Sequence, residues 1–226
     1  MVTTPDYRRN IRKDAFDIYI FGHGGLAAEI YEIAQSLDLQ PLTIVKNLSS
    51  IGSSKCPYIL EDELEKILDL QIADCVIGIG NSRVREELTK KFRNRVNFIS
   101  LFHSSLQIAR SSLELINGIE GTLILAGTHV SSRTKIGNYC VLNQGVNLAH
   151  DVEMEDYVTI GPGAIICGNV KISKHANIGA GAIIKQGRSE SDKLTIAEGV
   201  IIGAGAVVID SLETGTYVGS PARRIY

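Results

Sequence analysis

Between Val130 and Ile184 an aliphatic residue returns at every sixth position: Val130, Ile136, Leu142, Leu148, Met154, Ile160, Ile166, Ile172, Ile178 and Ile184. Four residues after each comes a smaller one: Thr134, Cys140, Val146, Val152, Val158, Ala164, Val170, Ala176 and Ala182, a series broken only at Arg188. Helices repeat every 3.6 residues and strands every two, so a beat of six belongs to neither. It fits a hexapeptide solenoid, in which each hexad forms one side of a triangular prism, three hexads close a turn, and the turns stack as parallel strands. Residues 18 apart in the sequence then lie one above another, at about 4.8 Å. The large aliphatic fills a corner, and the small residue fits where the interior is narrow.

The beat falters at both ends. Ile119 and Leu125 predict the first coils, with a slip of one residue into Val130, and Leu101 to Ile119 reads as a linker. After Ile184 the next register position is Glu190, and the pattern returns at Ile196, Ile202 and Val208. A loop over Gln186–Lys193 accounts for the gap, and loops of this kind often cover a binding groove.

The first hundred residues follow other rules. Asp17–Phe21 predicts a buried strand, Gly22-His23-Gly24-Gly25 a tight turn, and Leu26–Leu37 a helix with Ile30, Ile33, Ala34 and Leu37 on one face. Pro41–Val45 predicts a second strand, a helix follows near Glu61–Leu70, Asp74–Ile79 makes a third strand, Ser82–Phe92 a helix and Asn97–Ile99 a fourth strand. Strands alternating with helices predict a small parallel sheet of Rossmann type. The glycine turn is either a phosphate cradle, because helix N-terminal amides carry partial positive charge, or a turn and nothing more. The expected fold class is therefore α/β plus β. An extension over 1–16 precedes a Rossmann-like parallel-sheet domain over 17–103 and a parallel β-helix with its tail over 104–226.

Composition narrows the function. At 226 residues the chain can bury roughly 70% of its unfolded surface. Its 23 Lys and Arg against 25 acidic residues give a formal charge of -2, which removes a whole-chain electrostatic case for nucleic acid. The 22 glycines and absence of Trp suit a backbone that turns often around a thin interior. Cys56, Cys75, Cys140 and Cys167 show no Cys-x-x-Cys spacing and are expected as reduced, structural thiols. The start of the chain is polar and basic, and no apolar run approaches the ~18 residues of a membrane span, so a cytoplasmic protein without membrane insertion is expected.

One candidate for chemistry comes from the repeat itself. His150 stands two residues after corner Leu148 and precedes Asp151; one turn of 18 onward lies Gly168, so a bare backbone amide is predicted directly above an imidazole. An imidazole suits a general base at neutral pH, an amide can hold a developing oxyanion, and Asp151 can orient the ring. The bland alternative is an outward polar residue of the prism wall. His129, His150 and His175 are spaced by 21 and 25, neither a multiple of 18, so no metal site is expected.

The motifs Ile20-Phe21-Gly22-His23-Gly24-Gly25, Ile77-Gly78-Ile79-Gly80-Asn81 with Arg85, Phe102-His103-Ser104, Leu142-Asn143-Gln144-Gly145, Ala149-His150-Asp151, Ile160-Gly161-Pro162-Gly163-Ala164, Cys167-Gly168-Asn169-Val170 and Val218-Gly219-Ser220-Pro221-Ala222-Arg223 occur in this order. With them the chain from Asp17 to Tyr226 resembles the bacterial sugar acetyltransferases that join a small Rossmann-like domain to a left-handed β-helix. That family includes nucleotide-aminosugar N-acetyltransferases and sialic acid O-acetyltransferases. The resemblance implies an acetyl-CoA-dependent homotrimer with active sites between adjacent β-helices and no metal. It makes His150 the general base, Asp151 its carboxylate partner and Asn143 a nearby active-site residue, with the Gly168 amide on the acetyl carbonyl. The pantetheine arm would pass Gly179, Ala180, Gly203 and Ala204, and Pro221 and Arg223 would lie near the adenosine. Gly22, His23, Gly24, Gly25 and Asn81 would hold the nucleotide of an activated sugar.

The chain departs from the family pattern at Leu26, where relatives commonly have His, at Val45-Lys46-Asn47, which replaces an acidic pair, at Thr159 and at Ser104. These departures bear on the acceptor rather than on acetyl transfer. The expected activity is acetylation of the amine of a nucleotide-linked aminosugar by direct attack. The alternatives are O-acetylation of a sugar hydroxyl, as on sialic acid, and a noncatalytic nucleotide-sugar-binding scaffold.

Overall fold

In the computed structural model, which describes residues 17–47, 49, 55–69 and 72–225, the chain divides between Ile99 and Ser100 into two compact units. The expected extension over 1–16 lies outside the described residues.

The first unit runs β1 (Ile18–Phe21), α1 (Gly25–Ser36), β2 (Pro41–Val45), β3 (Tyr58–Leu60), α2 (Glu61–Leu68), β4 (Ala73–Ile77), α3 (Ser82–Phe92) and β5 (Val96–Phe98). Its strands form one sheet in the order β3-β2-β1-β4-β5, every pairing parallel. Strands β1, β2 and β4 are buried at every residue, which is why they read as mainly apolar runs, interrupted only at Thr43 and Asp74, instead of alternating ones. Ala27, Ile30 and Ala34 are the buried residues of α1. The sequence pattern misses β3, because three residues at a sheet edge carry no periodicity; their conformation is set by pairing Thr43 to Tyr58 and Val45 to Leu60. Two glycines are required by close approach. A Cβ on Gly22, whose φ is +110°, would meet Gly78 O at 2.9 Å, and one on Gly78 would meet Ala27 Cα at 2.7 Å.

The second unit is the β-helix. Its first face stacks Leu123–Ile124, Val141–Leu142, Thr159–Ile160, Asn177–Ile178 and Ile201–Ile202 in parallel. The second stacks His129–Val130, Asn147–Leu148, Ile165–Ile166, Ile183–Ile184 and Val207–Val208, and the third Glu153–Met154, Val170–Ile172 and Leu194–Ile196. All ten corner aliphatics and all nine small residues predicted from the sequence point inward, none more than 4% exposed.

The start differs from expectation. Leu101–Phe102 already pairs with Leu123–Ile124, and Gln107–Ile108 with His129–Val130, so 101–119 is a first coil and not a linker. This coil escapes a search at six because it advances 22 residues, from Leu101 to Leu123, the surplus being carried by α4 (Arg110–Leu115). The slip before Val130 is also absent: Ile124, paired with Leu142, is the register residue, and Leu125 follows it. The later gap is a loop as expected, since Ile184 pairs with Val208 at a distance of 24 residues.

Each corner is closed by a residue in the left-handed region. One column is glycine, at 127, 145, 163, 181 and 205, with φ from 64° to 69°. The other two are largely not glycine: Tyr139, Tyr157 and His175 at φ 56°, 60° and 62°, and Arg133, Asp151 and Asn169 at 56°, 59° and 55°. Beyond Ile201–Ile202, Thr216–Val218 adds in parallel, and Arg223–Arg224 then pairs with it antiparallel.

The inward and outward positions of one strand make a direct test. Ile172 is fully buried, so Ile172→Ala is expected to cost about 2–5 kcal/mol. Its neighbour Lys171 has a 44% exposed side chain, paired at 3.1 Å with the equally exposed Glu155, so Lys171→Ala should stay within about 0.5 kcal/mol. Urea unfolding of the two variants measures the contrast.

Candidate active site

His150 and Asp151 occupy the corner that leads from the second face to the third, after Asn147–Leu148 and before Glu153–Met154. The 18-residue stack brings Gly168 onto the imidazole: a Cβ there would fall 2.6 Å from His150 Cε1 and 2.7 Å from Nε2. Glycine is therefore what lets the ring lie flat against the next coil. The flanking amides are engaged, Cys167 N–H with Ile184 O and Asn169 N–H with His150 O, while the Gly168 N–H has no acceptor among the described residues.

Asp151 is 8% exposed. Its Oδ1 accepts from Arg133 Nε at 2.7 Å and its Oδ2 from Arg133 Nη2 at 2.8 Å. Oδ2 also lies 2.7 Å from His150 Nδ1. The Arg133 fork, aided by the His150 hydrogen bond and opposed by burial, holds the Asp151 carboxyl well below the usual carboxylate range. An ionised carboxylate only accepts, so His150 Nδ1 carries a proton in this contact, which makes Nε2 the basic nitrogen of the neutral ring. The His150 side chain is 42% exposed. The corner is further tied by Lys193 Nζ, which donates to Asp151 O at 2.7 Å from the end of the loop.

Arg133 is absent from the sequence-derived site. The signal was available, since 133 lies one 18-residue turn before 151, the same step that identified Gly168.

The other expected residues fall elsewhere on the prism. Asn143 sits at the corner between the first and second faces, with its Nδ2 donating to Ile160 O at 2.7 Å; within one chain it is not brought to His150. Gly179 and Gly203 stack in the same corner column as Asn143, through Gly179 N–H to Ile202 O and Gly203 N–H to Tyr217 O. Side chains have no room between these coils: a Cβ on Gly179 would meet Ala204 N at 2.5 Å, and one on Gly161 would meet Ala180 N at 2.6 Å. The wall carrying Gly179, Ala180, Gly203 and Ala204 is thus a smooth backbone surface, one face away from His150 and Gly168. Arg223 and Pro221 lie exposed on the segment that folds back on Thr216–Val218.

In the first unit, the glycine turn follows β1. Gly22 N–H donates to Ile44 O. His23 is folded inward at 4% exposure, its Nε2 3.0 Å from Cys56 O and its ring edge-on to Tyr58. Gly24 and Gly25 face open space, with nothing within 4 Å of a Cβ. Helix α1 has no side-chain cap and no acidic residue in its first turn, so its leading amides are left to a ligand or water. Asn81 caps α3, its Oδ1 accepting from Arg83 and Val84 N–H.

None of the four cysteines is in a disulfide, and burial, with Asp74 beside it, pushes the Cys75 thiol above its usual range. Among the described residues no cluster of His, Cys, Asp and Glu is suited to a metal, and no helix is long and apolar enough to cross a membrane.

The model of the PglD N-terminal domain matches residues 17–92, and that of the bacterial transferase hexapeptide (six repeats) matches residues 151–186. No curated protein matches the chain. Among solved structures, WeeI from Acinetobacter baumannii AYE is 31% identical over 92% of this chain and 99% of its own, with a TM-score of 0.78. PerB from Caulobacter crescentus, in complex with CoA and GDP-perosamine, is 22% identical over 95% of this chain and 99% of its own, with a TM-score of 0.80. The acetyltransferase domain of PglB from Neisseria gonorrhoeae FA1090, in complex with acetyl coenzyme A, is 24% identical over 92% and 98%, with a TM-score of 0.78.

The lowered proton affinity of Asp151 has a thermodynamic sign. Its contribution to stability is complete above the unfolded carboxylate value of about 3.9 and fades as pH falls toward the lower folded value. The part of the wild-type stability advantage over Asp151→Asn that comes from the carboxylate is expected to be present at pH 5 and to shrink below about pH 4. Urea midpoints measured across that range provide the check.

Proposed function

We propose, since the chain belongs to the bacterial sugar acetyltransferases that join a PglD-type N-terminal domain to a left-handed hexapeptide β-helix, that it transfers acetyl from acetyl-CoA to the amine of a nucleotide-linked aminosugar. The observation that carries this is the corner where Gly168, its amide free, lies on an imidazole whose Nδ1 is fixed by an ionised Asp151.

In the proposed step the neutral amine attacks the thioester carbonyl carbon, forming the C–N bond and a tetrahedral oxyanion. The Gly168 N–H donates to that oxygen as its charge grows. His150 Nε2 takes the proton that the attacking nitrogen must lose, and Asp151 balances the imidazolium. Collapse breaks the C–S bond, and the CoA thiolate leaves with the proton that His150 returns. No acyl-enzyme is needed.

The backbone wall at Gly179, Ala180, Gly203 and Ala204 suits a narrow pantetheine arm, and Arg223 suits phosphates. In the first unit the uncapped amides of α1 and the open space at Gly24 and Gly25 suit the phosphates of an activated sugar. Support for an aminosugar nucleotide also comes from PerB, whose structure holds CoA and GDP-perosamine. The base and the wall stand on different corners of one prism, so a neighbouring copy would complete the site, in keeping with a homotrimer. Ile165 and Ile183, 42% and 38% exposed on the intervening face, are apolar surface for such contacts.

His150→Ala should lower kcat by roughly 10²- to 10⁴-fold with CoA binding and assembly intact; unchanged turnover would remove His150 as the base. CoA release measured against a panel of nucleotide-linked aminosugars and free sialic acids tests the acceptor. Turnover confined to sialic acids would reassign the reaction to O-acetylation, and binding of a nucleotide sugar with no affinity for acetyl-CoA would indicate a scaffold.

A further inference from the structure

The stacking step that lays Gly168 on His150 also lays Arg133 against Asp151, from the coil on the opposite side. We propose that Arg133 is a positioning residue for acetyl transfer: by gripping both oxygens of Asp151 it aims the carboxylate at His150 Nδ1 and offsets its charge, so that the ring stays neutral and able to accept a proton. This rests on the reading of His150 as general base.

The geometry is specific. Nε and Nη2 of one planar guanidinium meet the two carboxylate oxygens at 2.7 and 2.8 Å, a fork that a lysine cannot reproduce. The same Oδ2 that accepts from Nη2 lies 2.7 Å from His150 Nδ1, so a shift of the fork is passed directly to the imidazole. Arg133 is itself held: its N–H donates to Ser111 Oγ at 3.1 Å, and the next amide, Thr134 N–H, donates to Ser112 Oγ at 2.8 Å, both serines belonging to α4. Arg133 and Asp151 also share the left-handed corner conformation, at φ 56° and 59°.

The charges around His150 are balanced. Asp151 faces the ring directly, with Arg133 behind it. Lys193, Nζ on Asp151 O, lies 3.6 Å from Glu153, which is paired with Lys135 at 3.0 Å, and Glu190 acts on Arg133 from the loop. Three cations, Arg133, Lys135 and Lys193, thus meet three carboxylates, Asp151, Glu153 and Glu190. Removing Arg133 leaves an uncompensated negative charge beside the imidazole, which favours imidazolium, and an imidazolium has no lone pair with which to act as base.

The experiment compares Arg133→Gln, which removes the charge, and Arg133→Lys, which keeps it without the fork, with the wild type and His150→Ala. Imidazole ¹⁵N shifts of labelled protein, assigned to His150 by their loss in His150→Ala, are followed from pH 5.5 to 9.5. The kinetic arm measures kcat/KM over the same range with acetyl-CoA and the acceptor that turns over fastest in the panel. In Arg133→Gln the imidazole should titrate at higher pH than in the wild type. Its kcat/KM should be roughly tenfold lower on the acid side and recover on the alkaline side. Arg133→Lys should fall between the two, with a weaker preference for the Nδ1–H form. A titration and tautomer unchanged in both variants, or a loss of rate equal at every pH, overturns the proposal, the latter being what a merely structural arginine gives. Undiminished turnover by His150→Ala overturns instead the assignment of the base, while the ¹⁵N titration still decides whether Arg133 governs the ring.

Discussion

The parallel hydrogen-bond register between coils is the constraint on which everything else in the second unit rests. Once Asn147 pairs with Ile165 and Leu148 with Ile166, the residues just beyond, His150 and Gly168, have no freedom to miss each other. The same register sets Arg133 against Asp151. Aliphatic corners, none more than 4% exposed from Val130 to Ile184, hold the register by making any slip carry apolar side chains into water. The chemistry therefore sits on a scaffold that aligns groups along its axis through the backbone, leaving the side chains free to specialise.

Corners are where this specialisation costs energy. A left-handed backbone is nearly free for glycine but costs of order 1–3 kcal/mol for other residues. Two columns accept that cost, and each offsets it by stacking like upon like or opposite upon opposite. Tyr139, Tyr157 and His175 stack their rings with centroids 5.0 and 5.3 Å apart, and the ring of Tyr139 takes the space that a Cβ on Gly121 would need. Arg133 and Asp151 instead form a forked ion pair. The column that carries charge is the one that carries the candidate base.

The sequence made the solenoid legible because corner packing imposes a period that no helix or strand shares, and that one period sufficed to bring Gly168 to His150. What it hid has physical reasons. Strand β3 is three residues held by its neighbour and not by its own pattern. The first coil advances 22 residues because α4 is spliced into it. The inward turn of His23 depends on Cys56 and Tyr58, more than thirty positions away in sequence. Arg133 obeyed a rule already in use; a basic residue on a polar stretch resembles solvated surface until its step to Asp151 is counted. Asn143, which the resemblance placed near the base, stands at another corner of the same prism, so one chain alone does not bring the two together.

The hairpin at the far coil has a role apart from catalysis. A stack of parallel strands ends in a row of open amides and carbonyls, onto which another chain can crystallise edge to edge. Here the chain reverses, so that Arg223–Arg224 lies antiparallel along Thr216–Val218. The outermost ribbon of this face is only two residues long, and both are exposed cations. A strand arriving on this face would meet a reversed chain, few partners and like charge, so the two arginines shield this edge of the column against fibre growth.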